Sequence, residues 1–306
     1  MYLVTAVNRN INFNNGNVQF GQGFDNMPPL AYICLLDRLQ KRKGIFMFSF
    51  FKKIAAAAAV WSIVVAAVVA AEHSSMPFAP GEKLTFDLTW GGINAGEAVL
   101  QVLPSTTLHG TAAHHFEMTA RSNPTIDQIF KIRDRLESYT DLKMTHSLLY
   151  REKLYEGGYR RNRVITFDWE KNELTTISND SKPRQVPVMP GTFDLLAAFY
   201  FLRLQPLPSM KKVECPITDG KINIVGRVDV KGKERIQVGG RAYATIILEP
   251  ILDDVELFSP NENAGIRMWI TADARRIPVR IESRVALGFF RAELRKAEQV
   301  SPPAKQ

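Results

Sequence analysis

From Lys83 nearly to its end the chain alternates apolar and polar residues between short turn-like interruptions, and this rhythm most restricts what it can fold into. Leu84-Thr85-Phe86-Asp87-Leu88-Thr89-Trp90 puts an apolar side chain at every second position, so one face packs and the other meets solvent. Gly91-Gly92 and Asn94 mark a turn, after which the pattern resumes over 95–103 as the second arm of a hairpin. The same pattern predicts strands over 115–121, 135–142, 148–155, 163–169, 174–178, 211–218, 222–230, 233–238, 242–250, 264–271, 277–283 and 289–296. Connections such as Lys231-Gly232 and Gly239-Gly240 are too short for parallel crossovers and suit antiparallel hairpins. So many strands in series imply a mostly β fold, a curled antiparallel sheet or open β-barrel.

Two helices interrupt the run. Asn123 and Pro124 open a short one over 124–131, with Ile126, Ile129 and Phe130 on one face. Thr192 caps a longer one over 193–204, which Leu195, Leu196, Phe199, Phe201 and Leu202 make apolar nearly all round. Such a helix is buried, and it is expected to plug or cross the open side of the sheet. Pro206 and Pro208 end it. No repeat or linker divides 76–298, which reads as a single β domain followed by a disordered tail at 299–306.

Residues 47–71 read as a secretory signal peptide: Lys52 and Lys53 form the charged start, 54–69 is an Ala/Val-rich apolar run, and Val69-Ala70-Ala71 offers small residues for cleavage. Residues 1–46 are read as an upstream start assigned too early or as a disordered extension. If they are translated and the signal is kept, the apolar run becomes an inner-membrane anchor; otherwise the protein is periplasmic or secreted. The net charge of +8 is mostly a property of this leader, since residues 1–71 hold seven Lys/Arg against two Asp/Glu. With the excess placed there, and with neither a basic stripe nor a zinc or helix-turn-helix signature after it, nucleic acid is not an expected partner. Only Cys34 and Cys215 are present, so a cleaved chain has no internal disulfide and Cys215 reads as a buried, inert thiol.

No Gly-x-Ser-x-Gly elbow, phosphate-cradling loop or zinc-protease helix occurs, and no catalytic residue, metal ligand or cofactor is assigned. His114 and His115 are adjacent on a strand and point to opposite faces, which keeps them from sharing a metal. On the 133–141 segment Arg133, Arg135, Glu137, Tyr139 and Asp141 share one face, either the polar rim of a ligand cavity or a solvated, ion-paired surface. Lys153, Arg160, Arg161 and Arg163 around Gly157-Gly158 form a basic cluster, either suited to an anionic lipid or glycan or simply a charged hairpin tip. Aromatic residues on the concave side are candidates to line a pocket for an apolar chain. The ligand-binding candidates are Trp90, Arg135, Glu137, Tyr139, Trp169, Tyr200, Arg203 and Trp269.

Several stretches in combination resemble an exported bacterial family known as domain of unknown function DUF3108. They are Pro80-Gly81-Glu82-Lys83-Leu84-Thr85-Phe86 with Trp90 and Gly96, Ser122-Asn123-Pro124, and Arg133-Asp134-Arg135-Leu136-Glu137-Ser138-Tyr139. Asp194 with Ala198-Phe199-Tyr200-Phe201-Leu202-Arg203, Gly232-Lys233-Glu234, and Trp269-Ile270-Thr271 with Asp273 and Arg276-Ile277-Pro278-Val279-Arg280-Ile281 complete the set. The resemblance spans about 76–297 and implies export and a curled antiparallel sheet, with no activity or site residue to carry over. The expected role is that of a cell-envelope protein that binds an apolar or lipid-like ligand without catalysis. The alternatives are an envelope hydrolase or glycan-modifying enzyme, and a periplasmic scaffold that docks other envelope proteins. A membrane contact is expected only if the signal is uncleaved.

Overall fold

The computed structural model describes residues 76–179, 181–251, 265–285 and 288–299, together with the backbone of two short strands, β1 (Ile11–Asn14) and β2 (Asn17–Phe20), which pair antiparallel. The proposed leader at 47–71 and the tail from 300 lie outside the described residues.

The alternating region forms one sheet of fifteen strands. Its first meander runs through β3 (Lys83–Trp90), β4 (Ile93–Leu108), β5 (Thr111–Ser122), β6 (Arg133–Asp141), β7 (Ser147–Glu156), β8 (Tyr159–Asp168), β9 (Glu173–Ser178) and β10 (Arg184–Pro187), each strand antiparallel to the next. After β11 (Phe193–Asp194), a second meander runs through β12 (Lys212–Thr218), β13 (Asn223–Val238), β14 (Arg241–Ile251), β15 (Ile266–Thr271), β16 (Pro278–Val285) and β17 (Gly288–Glu298). β11 joins β12 in parallel. The seam between the meanders is β17 against β3, with Phe290 opposite Trp90 and Glu298 opposite Lys83. β10 and β11 are left as the two edges, so the sheet is curled but not closed. The turn after β12 nonetheless reaches across: Asn223 Nδ2 donates to Pro187 O at 2.7 Å, and Arg163 donates to Asp219 O.

Four details differ from the expectation. The segments 222–230 and 233–238 are one strand, β13, because Lys231-Gly232 is a bulge and not a turn: the register shifts between Val230 and Gly232, where φ is +143°. The bulge bends the β13–β14 hairpin, and Gln237 O in its far half accepts from Arg280 Nη2 at 2.9 Å. β10 and β11 were not anticipated, being four and two residues long. The short helix is one turn, α1 (Pro124–Asp127), which leaves Ile129 and Phe130 exposed instead of packed. The long helix, α2 (Leu195–Leu204), begins after Asp194, and it is this carboxylate, not Thr192, that caps it.

A second bulge carries a prediction. Gly96 sits with φ at +154° where β4 shifts register against β3, and a Cβ there would lie 2.0 Å from Arg121 O on the neighbouring strand. The obstacle is backbone, which cannot rotate away. Gly96→Ala is expected to cost about 2 kcal/mol or more, read as a lower urea midpoint at unchanged slope.

Candidate functional site

The concave side of the sheet is occupied by α2. Its sequence, LLAAFYFLRL, has one charged residue, and none of its ten side chains is exposed. One side joins the larger core through Leu196 and Tyr200, packed with Phe78, Leu84, Phe86, Phe116, Tyr150 and Ile165. The other side joins a second cluster through Leu202, with Leu207, Val213, Ile246, Leu248, Met268 and Ile270. The helix therefore fills the sheet as a plug, as its all-round apolar pattern predicted. Tyr200 and Phe116 stack at 3.9 Å, both fully buried, and Phe78 meets each ring edge-on. The Tyr200 hydroxyl has no hydrogen-bond partner among the described residues, and burial raises its pKa far above the ordinary phenol value.

Polar latches hold both ends of the plug. At the N-terminus Asp194 Oδ1 accepts from Leu196 N and Ala197 N at 3.0 and 2.9 Å, while Oδ2 accepts from Ser138 Oγ and Ser147 Oγ at 2.7 and 2.6 Å. Complete burial raises the Asp194 pKa, although all four bonds pull it down. At the other end Arg203 is 1% exposed and pairs bidentately with Glu82, Nη1 to Oε1 at 2.6 Å and Nη2 to Oε2 at 3.0 Å. Nη2 also donates to Pro77 O and Arg275 O, and Arg276 Nη1 donates to Arg203 O. One side chain thus ties the start of the domain and the β15–β16 connection to α2.

The eight ligand-binding candidates do not form one site. Tyr200 and Arg203 are on the plug. Arg135, Glu137 and Tyr139 project from the opposite, outer face of β6, where Glu137 accepts from Arg135 Nη2 at 3.1 Å, Arg135 Nε donates to Glu117 at 2.6 Å, and Tyr139 stacks on His115 at 4.2 Å. Beside them an open groove of about 430 Å³ is lined by Arg135, Glu137, Arg151, Lys153 and Asn162, among others. Burial holds the His115 pKa below its ordinary value against the pull of Glu137. Trp169 closes the end of β8, donating to Ser147 O at 2.9 Å. Trp90 stacks on Phe290 at the seam, and Trp269 donates to Glu234 at 2.8 Å. Alternation identified which residues share a face but not which face is concave, and this divides the set. Glu82, Ser138, Ser147 and the capping role of Asp194 are absent from the expected set. An Asp directly before an apolar helical run is itself a capping signal, whereas no local pattern links Glu82 to Arg203 across 121 residues.

The basic cluster at the β7–β8 turn also divides. Arg163 is buried and, with Arg161, pairs with Glu152. Lys153 and Arg160 face outward.

The family model described as protein of unknown function (DUF3108) matches residues 85–295. The chain belongs to the DUF3108 family. Two solved structures resemble this DUF3108 domain at low identity. One is a β-barrel-like protein of domain of unknown function DUF1849 from Brucella abortus, 11% identical, with a TM-score of 0.47 over 71% of this chain and 96% of that one. The other, a protein of presumed export with a YmcC-like fold from Bacteroides fragilis NCTC 9343, is 9% identical, with a TM-score of 0.27 over 73% and 98%. No curated protein sequence matches the chain. Among the described residues of the DUF3108 chain no helix is long and apolar enough to cross a membrane. Its free Cys215 is half-buried, and burial pushes the thiol up to about 11.

Proposed function

We propose that this protein is an exported cell-envelope binding protein that holds an apolar or lipid-like chain, without catalysis, between α2 and the concave face of the sheet. The observation that carries the reading is a sheet that does not close on itself and is filled instead by an inserted helix apolar on every side. An apolar chain can replace the apolar contacts of such an insert, because α2 contributes no strand to the sheet's ladder and is tied to it through the Asp194 and Arg203 latches at its two ends. The interior is packed at Tyr200 and Phe116, so the ligand enters as the Asp194 and Arg203 latches open and α2 swings aside between Pro190 before it and Pro206 and Pro208 after it. The unpartnered Tyr200 hydroxyl is the group to meet the ligand's polar end. Location in the periplasm, or beyond it, is supported by the leader composition at 47–71.

The hydrolase reading has no comparable support. Asp134 accepts from Tyr155 N, Glu137 sits on the outer face with Arg135, Asp194 caps α2 and Glu234 accepts from Trp269, so these carboxylates converge on no shared cleft.

Native mass spectrometry of the protein purified from its own envelope, followed by organic extraction, tests the proposal. About one lipid-class molecule per chain is expected. Protein free of any extractable apolar molecule, or bound to another protein in its place, would overturn it.

A further inference from the structure

We propose that one end of the sheet is a docking rim for an anionic phospholipid surface, a contact that needs neither the leader nor the ligand reading above. The register brings to this end the β3–β4 turn, the β5–β6 connection with α1, the β7–β8 turn and the start of β17. Trp90 pairs with Ile93, Arg121 with Arg133, Glu156 with Tyr159 and Phe290 with Trp90, and Ile132 bridges to Glu156. Among the described residues, seven of the eleven exposed large hydrophobic side chains are gathered here. Ile129 is 79% exposed, Ile93 66% and Phe130 48%; Tyr155, Tyr159, Phe289 and Phe290 are the others. The patch is built, not frayed: Gly157 N donates to Lys131 O at 2.8 Å, the Phe130 ring lies against Gly157, and Asn123 Nδ2 donates to Asn94 O at 2.7 Å across the two turns.

Charge selects the occupant. Arg133 pairs with Asp127 at 2.6 Å, and Arg161 shares Glu152 with Arg163. Lys131 and Arg160 have no carboxylate in ion-pair reach among the described residues, and the same holds for Lys182 and Arg184, set back along the β9–β10 side. Two carboxylates stand at the β7–β8 turn, Glu156 and the half-buried Asp134 that accepts from Tyr155 N. Lys131 lies 5.9 Å from the Tyr155 ring centroid and the Arg160 guanidinium covers the same ring, so cations and aromatic faces stand together at the tip. Apolar side chains that enter the acyl boundary, tyrosines at head-group depth and cations without a carboxylate partner beside them, Arg160 held in place by Gly157 O and Tyr159 O, are the composition that an anionic lipid interface recognises. A neutral or cationic surface would leave Lys131 and Arg160 unmatched.

Co-sedimentation of the full chain with vesicles tests this, comparing mixed phosphatidylglycerol and phosphatidylethanolamine with phosphatidylcholine alone. The protein should bind the anionic vesicles and release them as salt is raised. Lys131→Glu with Arg160→Glu should weaken partitioning by roughly tenfold or more, and Ile129→Ser with Phe130→Ser by a similar factor. Leu142→Ser, an exposed position at the far end of β6, should leave it unchanged. All these positions are exposed, so the melting midpoint should stay that of the wild type. Equal binding to both vesicle types, no binding by the wild type, or rim variants that bind like the wild type would overturn the proposal. The last outcome would include binding through the leader alone. A co-purifying lipid that survives in rim variants separates this surface from the interior site.

Discussion

Arg203→Met should lower the free energy of unfolding by about 3–5 kcal/mol, the largest effect expected of any single side chain in the plug. The substitution leaves Glu82 as an isolated carboxylate that is only 1% exposed, and it strips Pro77 O and Arg275 O of their donor. Charge loss, not lost packing, is the cause. The double variant Glu82→Leu with Arg203→Met, which removes both charges, should therefore recover most of the deficit. Urea denaturation of the two variants decides the matter: a double variant no better than the single would show that the pair acts through shape alone. The comparison also bears on the proposed motion of α2, since a latch with a large desolvation cost contributes less to net stability than its short bonds imply.

Asp194→Ala is expected to cost a comparable amount, about 3–5 kcal/mol. It removes the helix cap and leaves the fully buried Ser138 and Ser147 hydroxyls without their carboxylate acceptor. Asp194→Asn keeps a cap oxygen and should cost far less. The pH dependence separates the two effects. Burial raises the folded pKa of Asp194 above its unfolded value, so the folded state holds the proton more tightly. The stability this group contributes is present below the unfolded pKa and is lost as pH rises through the folded one. Asp194→Asn does not titrate, so it should gain on the wild type as pH is raised from about 4. Unfolding free energies that run parallel with pH in the two proteins would refute the assignment.

These two latches mark the boundary of what the sequence discloses. Period-two alternation is a local signal, and wherever an apolar residue recurs at every second position, as in β3, the strand is where the pattern puts it. Signals fail where one residue type serves two geometries. Gly232 reads as a turn and is a bulge; Ile129 and Phe130 read as a helix face and are an exposed loop. Phe193 continues the apolar run of the helix, so no pattern marks β11 apart from it. The site is less legible still. The apolar run puts Tyr200 on a buried helix, whereas nothing local to Arg203 points to its pairing with Glu82 on the first turn of the domain, 121 residues away. Arg135, Glu137 and Tyr139 do share a face, yet strand curvature, which no short motif records, turns that face outward.

The seam of β3 with β17 has a consequence for how the molecule is made. Each meander can form hairpin by hairpin from neighbours in sequence, but Lys83 meets Glu298 only when the last strand has been synthesised and brought back. Contacts of such separation are slow to form, because the entropy of closing the loop is lost before any pairing repays it. Until then β3 and β17 are both open edges. Before the seam zips, two half-sheets stand beside an unsheltered apolar helix, and that interval is when the chain is most exposed to aggregation.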